Sequence, residues 1–125
     1  MPSWDSIGWA MPVLEPHIGG RVAFLTGAGA ASYAESVMGL VEHYHLGEIV
    51  GAATAGTNGN KAEVTEPSGC RTTFTGLRVT KSDGSRFHLI GVQPTIPASR
   101  TIAGMIAGRD EVLETALAYV RSGSR

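Results

Sequence analysis

Between Arg21 and Ala52 the sequence changes periodicity twice, and this change restricts the fold more than any other feature of the chain. "RVAFLT" (21–26) is a continuous apolar run bounded by Gly27, the pattern of a short buried strand. A loop of small residues, "GAGAAS", follows. From Tyr33 the apolar positions recur at three and four through Val37, Leu40, Val41 and Tyr44, so the spacing predicts a helix to about His45 with that face buried. "GEIVGA" (47–52) is then a second short strand. Strand, helix, strand in this order predicts a βαβ-like unit in an α/β fold.

After this unit the period changes to two. "EVTE", "CRTTFTGLRVTK" and "RFHLIGV" are separated by "PSG" and "SDGS", which predicts an antiparallel meander over 63–92 with turns at Gly69 and Asp83-Gly84. The tail from Asp110 places Leu113, Ala116, Leu117 and Val120 on one stripe. With acids in its first turn, Arg121 in its last and Gly123 beyond, it predicts a closing helix. Residues 1–20 hold both tryptophans, three prolines and Gly19-Gly20, a composition expected of an extended N-terminal arm, leaving 21–125 as the folded domain.

With 125 residues, 42% of them hydrophobic and 17% charged, the chain fits one globular domain. Its net charge is −1 and its Lys and Arg residues are scattered, so a nucleic-acid partner is not expected. The longest apolar runs, "VAFL" and "LIGV", are far short of a membrane span, and "MPSWDSIGWAM" lacks the basic start and apolar stretch of an export signal. The sequence therefore assigns no compartment. The single cysteine, Cys70, excludes an internal disulfide and a cysteine-rich metal site, and is read as a small strand residue beside a turn.

Ser32, at the junction of loop and helix, has three readings. Followed by Glu35, it makes the S-x-x-E of a capping box. "TGAGAAS" after a strand also resembles the start of a dinucleotide-binding loop. Against this, Ser32 stands where that loop has its third glycine, and no acidic residue ends the second strand at "VGAAT". In the third reading the serine is a nucleophile at a strand-to-helix turn, where the positive helix end favours an alkoxide and a nearby oxyanion.

The stretch "VAFLTGAGAASYAESVMGLVEHYHLGEIVGAATAGTNGN" resembles the core of the C-terminal-processing, or tail-specific, serine proteases. In that family a strand, a small-residue loop, S-x-x-E, a helix and "IVG-x-x-T-x-G" follow in this order. "DGSRFHLIGVQPTIP" resembles the strand leading into the family's G-V-x-P-D step, and "AGRDEVLETALAYV" resembles its closing helix, so the likeness covers about residues 21–121. It implies a ClpP/crotonase-like α/β core, here a small mixed sheet with two main helices. It also implies a serine nucleophile at Ser32, an oxyanion donor in the N–H of Tyr33, and a peptide substrate. No cofactor and no metal are implied.

The lysine base of many members would fall on the residue after Gly56, which is Thr57. Threonine is no base at neutral pH, and Lys61 lies four residues further on. Some members of the wider family use histidine instead. His17 lies in the arm, and His43 and His45 form H-x-H at a helix end, where alternate residues do not share a face. His88, set between Phe87 and Leu89 just before "GVQP", is the candidate base.

Family members carry a further part of the catalytic core ahead of this region. The expectation is therefore a truncated core whose open sheet edge favours a homo-oligomer. The implied function is a serine hydrolase, nominally a peptidase, with activated esters hydrolysed more readily than amides. The alternatives are a catalytically inactive protease remnant serving as a binding or assembly module and, from the glycine loop, a domain binding NAD or NADP.

Overall fold

A computed structural model describes residues 12, 14–16 and 18–123. Its centre is a three-stranded parallel sheet of β1 (Ala23–Thr26), β2 (Glu48–Gly51) and β5 (Ile96–Pro97), in the order β1-β2-β5. Ala23 pairs with Glu48 and Thr26 with Gly51, while Val50 pairs with Ile96 and Gly51 with Pro97. Helix α1 (Tyr33–Tyr44) makes the crossover from β1 to β2, so the βαβ unit forms as its periodicity predicts. Hydrogen bonds on both edges of β2 put it at the centre of the sheet. Ile49 and Val50 are accordingly 1% and 0% exposed, the two-sided burial expected of a parallel strand.

The faces of the sheet divide by alternation. Ile49 joins Met38 and Val41 of α1 in a core cluster with Phe87 and Val92, and Phe24 packs beside it. Val50 and Leu25 point to the opposite face, where α3 (Glu111–Arg121) lies against β1 and β2. The Asp110 side chain caps α3 by accepting from the Leu113 N–H at 3.1 Å. Arg21, just before β1, donates to Ser122 Oγ at 2.7 Å and lies 5.1 Å over the Tyr119 ring, fastening the far end of α3 to the sheet.

Three expectations are corrected. In place of one mixed sheet, the strands divide into the parallel sheet and a separate antiparallel ribbon of β3 (Lys61–Thr65) and β4 (Arg71–Thr75), closed through the turn at Gly69. The third arm of the meander does not form as a strand. Only a bridge between Thr80 and Arg86 spans the Asp83-Gly84 turn, and beyond it the N–H groups of Ile90 and Gly91 both bond the Phe87 carbonyl. That closes residues 87–91 into a turn with Leu89 at φ 62°, so His88 sits on a turn and not in a strand.

The buried face of α1 is also rolled from the expected one. Glu35, Met38 and Val41 point inward, while Tyr33 and Tyr44 are exposed. The helix is turned by what Glu35 finds inside, described below. Two short elements carried no periodic signal: β5, and α2 (Ile102–Ile106), which Thr101 caps by accepting from the Gly104 N–H at 2.9 Å. The arm expected over 1–20 lies largely outside the described residues.

The 87–91 turn is held close to the loop after β2 by glycine. A Cβ on Gly91, whose φ is +66°, would meet Thr54 Oγ1 at 2.3 Å, whereas one on Gly69, at φ +83°, would meet nothing within 4 Å. Both positions carry the left-handed penalty of about 1 kcal/mol for a non-glycine residue. Gly91→Ala adds a clash to it. We expect Gly91→Ala to lower the melting temperature by several degrees more than Gly69→Ala; equal shifts would show that the close approach is not needed for stability.

Candidate active site

The loop after β1 turns on a hydrogen bond from the Ala30 N–H to the Gly27 carbonyl, 2.9 Å. Two residues later the backbone of Ser32 takes φ 55°, ψ −118°, a conformation that glycine occupies at little cost and other residues avoid. Holding a serine there costs about 1–3 kcal/mol, and such strain persists only where the surroundings over-determine it. The Ser32 carbonyl accepts from the N–H groups of Glu35 (2.9 Å) and Ser36 (3.1 Å), which start α1. Ser32 and Glu35 stand as a capping box, but the half that forms a bond is Ser32 N–H to Glu35 Oε2, 3.2 Å. The Ser32 hydroxyl makes no capping hydrogen bond, and the residue is exposed.

Glu35 itself is 0% exposed. A buried carboxylate is costly unless its oxygens are hydrogen-bonded, and here four donors converge on them. Oε1 accepts from the Thr54 hydroxyl and the Gly56 N–H, both at 2.6 Å. Oε2 accepts from the N–H of Thr57 at 3.0 Å and from that of Ser32. Thr54 Oγ1 in turn accepts from the Val92 N–H at 2.9 Å, and the Gly56 carbonyl accepts from the Leu89 N–H at 2.9 Å. One carboxylate thus ties the start of α1 to the loop after β2 and, through that loop, to the turn carrying His88.

Several clefts lie around this network, one of them, of about 260 Å³, lined by Glu35 itself together with Ser36, Asn58 and Lys81. A larger one of about 630 Å³ lies at the carboxyl ends of the parallel strands, the usual ligand side of such sheets. Its walls include Gly27, Gly29 and Ala30 of the loop leading into Ser32, Ala52 after β2 and Ala98 after β5. The Arg100–Asp110 ion pair, 3.3 Å, adds charge to its lining. Thr26 Oγ1, on a residue of the same wall, is buried and has no hydrogen-bond partner among the described residues. A third cleft, about 330 Å³, is lined by Asn58, Thr75, Leu77, Arg78, Val79 and His88.

The sequence-derived site residues are therefore distributed as follows. The Tyr33 N–H, next to the Ser32 hydroxyl, belongs to the first turn of α1, where backbone donors have no partner inside the helix. No hydrogen bond to it is found among the described residues. His88 is exposed, with no hydrogen bond from its ring, and no hydrogen bond joins it to Ser32 among the described residues. Thr57 gives its N–H to Glu35, and Lys61 opens β3. His43 lies edge-on to Tyr44 at 4.6 Å between ring centres, and His45 caps α1. His17 lies outside the described residues. No cluster of metal-ligating side chains occurs among the described residues, and none of their helices is long and apolar enough to cross a membrane.

The sequence reading missed the reach of Glu35. Read as half of a capping box, it is in fact bonded to residues 19, 21 and 22 positions away, and no linear spacing announces such partners.

The model of the family described as Peptidase family S41 matches residues 8–98. Among solved structures, a putative peptidase from Parabacteroides merdae ATCC 43184 is 20% identical with a TM-score of 0.73, the match covering 80% of this chain and 31% of that one. The photosystem II D1 C-terminal processing protease is 25% identical with a TM-score of 0.52, covering 63% and 20%. The tricorn protease is 16% identical with a TM-score of 0.67, covering 82% and 10%. The chain thus spans less than a third of the length of each. No curated protein sequence matches.

Two substitutions test the site's construction. Glu35→Gln keeps the volume but turns an amide N–H₂ toward buried donors, and should destabilise the fold by about 2–4 kcal/mol in urea denaturation. Ser32→Gly relieves the backbone strain and should raise stability by about 1 kcal/mol or more. An unchanged urea midpoint for the first, or a lowered one for the second, would contradict this description.

Proposed function

The chain belongs to peptidase family S41, and on that premise we propose that it is a serine hydrolase in which Ser32 is the nucleophile, Tyr33 supplies an oxyanion donor and His88 is the base. One observation carries the reading. Ser32 is held in a strained conformation at the mouth of a helix, and its hydroxyl is not consumed by the cap that the sequence pattern offers it. Strain of this kind collects where a side chain must be presented to a reacting group, and a sharp strand-to-helix turn is how serine hydrolases present theirs.

The chemistry follows from these placements. Ser32 Oγ attacks the carbonyl carbon of a peptide or ester while its proton passes to the His88 imidazole. The carbonyl oxygen, now negative, is met by the Tyr33 N–H and the positive end of α1. Collapse of the tetrahedral species breaks the bond to the leaving group, which takes the proton from His88 as an amine or leaves as a phenolate while His88 loses that proton to water, and an acyl-serine with neutral His88 remains. Water then attacks that ester as His88 takes its proton, and His88 returns the proton to Ser32 Oγ as the acid is released and the free alcohol re-forms. An amine must be protonated as it leaves, whereas a nitrophenolate need not be, so activated esters are the more readily hydrolysed substrates.

His88 is preferred among the described histidines because its turn is tied to the network that positions Ser32, through Leu89, Gly56 and Glu35. The larger cleft, beside the loop leading into Ser32, suits the acyl side of the substrate. We read the sheet as part of a ClpP/crotonase-like core, with residues 1–20 as an arm. Among the described residues β1 pairs with β2 alone, and an open edge there supports assembly into a homo-oligomer.

A second reading, an inactive binding module, is favoured by the absence, among the described residues, of a hydrogen bond between Ser32 and His88 and by Thr57 at the lysine position. Turnover of a p-nitrophenyl ester separates the two. Ser32→Ala should abolish it with little change in melting temperature, and His88→Gln should lower it by roughly 10²- to 10⁴-fold. A wild-type chain with no turnover would establish the binding module; an active Ser32→Ala variant would show that the nucleophile lies elsewhere.

A further inference from the structure

Glu35 is one of two carboxylates that α1 turns toward the segment carrying His88. Glu42 lies seven positions further on, two turns of helix, and therefore on the same face. Between them Met38 and Val41 form the apolar part of that face, and Phe87 joins their cluster with Val79 packed against it. Val79 and Phe87 are the two feet of a hairpin. The Thr80–Arg86 bridge closes it, and its tip turns on hydrogen bonds from the Gly84 N–H to the Lys81 carbonyl and from the Lys81 N–H to the Ser85 carbonyl, both 2.9 Å. The Asp83 carboxylate accepts from the Ser85 N–H at 2.8 Å, so the tip is shaped by its own residues. From this tip Lys81 Nζ reaches Glu42 Oε1 at 2.7 Å, the two side chains being 17% and 34% exposed. The hairpin then runs straight into the 87–91 turn, where Arg86 Nε donates to the His88 carbonyl at 2.8 Å.

We infer that the Glu42–Lys81 pair is a latch that fixes the 87–91 turn, and His88 with it, from the turn's entry. Glu35 fixes the same turn further along, through Gly56 and the Leu89 N–H. The apolar feet do not set the position by themselves, because apolar contact is non-directional and a cleft of about 260 Å³ lies between α1 and residues 79–82. An ion pair across that cleft is directional, and its partial burial spares it much of the screening that weakens exposed pairs. Such a pair adds little to the stability of a whole domain. Lifting one hairpin from one helix uncovers far less surface than global unfolding, so the same contribution is a large share of that local opening. Glu42 and Lys81 act through the turn and are positioning residues for His88. Their consequence for turnover rests on the hydrolase reading; the latch itself does not.

The test is amide hydrogen exchange, read by NMR on the full chain at Leu89, Ile90 and Gly91, whose N–H groups are bonded to the Gly56 and Phe87 carbonyls. Glu42→Gln and Lys81→Met should each speed exchange at these three about fivefold or more relative to the amides of β2, which report global opening. The charge-exchanged double variant, Glu42→Lys with Lys81→Glu, should return most of the protection. Glu63→Gln, which breaks the Arg71 pair on the ribbon, should leave it unchanged. Unaltered exchange in both single variants, acceleration shared equally by β2, or no recovery in the exchanged pair would overturn the inference. In the p-nitrophenyl ester assay the single variants should lower kcat several-fold with KM little changed, because the proton acceptor is displaced while the acyl cleft is not. Selective exchange at 89–91 with kcat unchanged would uphold the latch and remove His88 as the base. A chain without turnover would leave the exchange rates to decide the latch by themselves.

Discussion

The buried carboxylate of Glu35 is the point from which the rest of the site is built. Taking a carboxylate out of water costs several kcal/mol unless each oxygen finds donors, and the fold supplies four of them from two stretches of the chain, Ser32 and residues 54–57. That requirement rolls α1 away from the face its apolar stripe would bury, so that Tyr33 and Tyr44 stand exposed while a glutamate points inward. It also fixes the path of residues 54–57, which leave the sheet and return past Ser32. The parallel sheet provides the frame, since β2, buried on both faces, delivers this loop to the same end of the sheet as the loop from β1.

The strain at Ser32 is a consequence of the same arrangement. Its N–H must reach Glu35 while its carbonyl starts the helix, and satisfying both places the backbone in a region meant for glycine. A capping serine in an ordinary extended conformation would spend its hydroxyl on the helix end. Here the backbone and the glutamate perform the cap, and the hydroxyl is left over. The position also explains why Thr57 is informative about architecture even though it is no base: its N–H, and not its side chain, is the part the network uses.

What the sequence showed depended on how local the cause was. The βαβ unit was legible because β1, α1 and β2 each carry their own periodicity, and the α3 cap was legible because Asp110 and its partner Leu113 are three residues apart. The start of α1 was legible through S-x-x-E, because Ser32 and Glu35 are three residues apart. The failures have the opposite character. β5 and α2 are too short for any period to register. The apolar alternation of "RFHLIGV" read as a strand, but Gly91 and a left-handed Leu89 bend it into a turn, moving His88 onto an exposed corner. The role of Glu35 was hidden because its donors lie some twenty residues away.

The account stands on Ser32 being the one activated hydroxyl of the chain, and covalent labelling asks this directly. The intact protein would be incubated with a fluorophosphonate, digested, and the modified residue located by tandem mass spectrometry. The account predicts a single phosphonylated serine, Ser32, with labelling lost when the protein is unfolded beforehand. A chain that takes up no label, or that carries it on any other serine, would contradict the account.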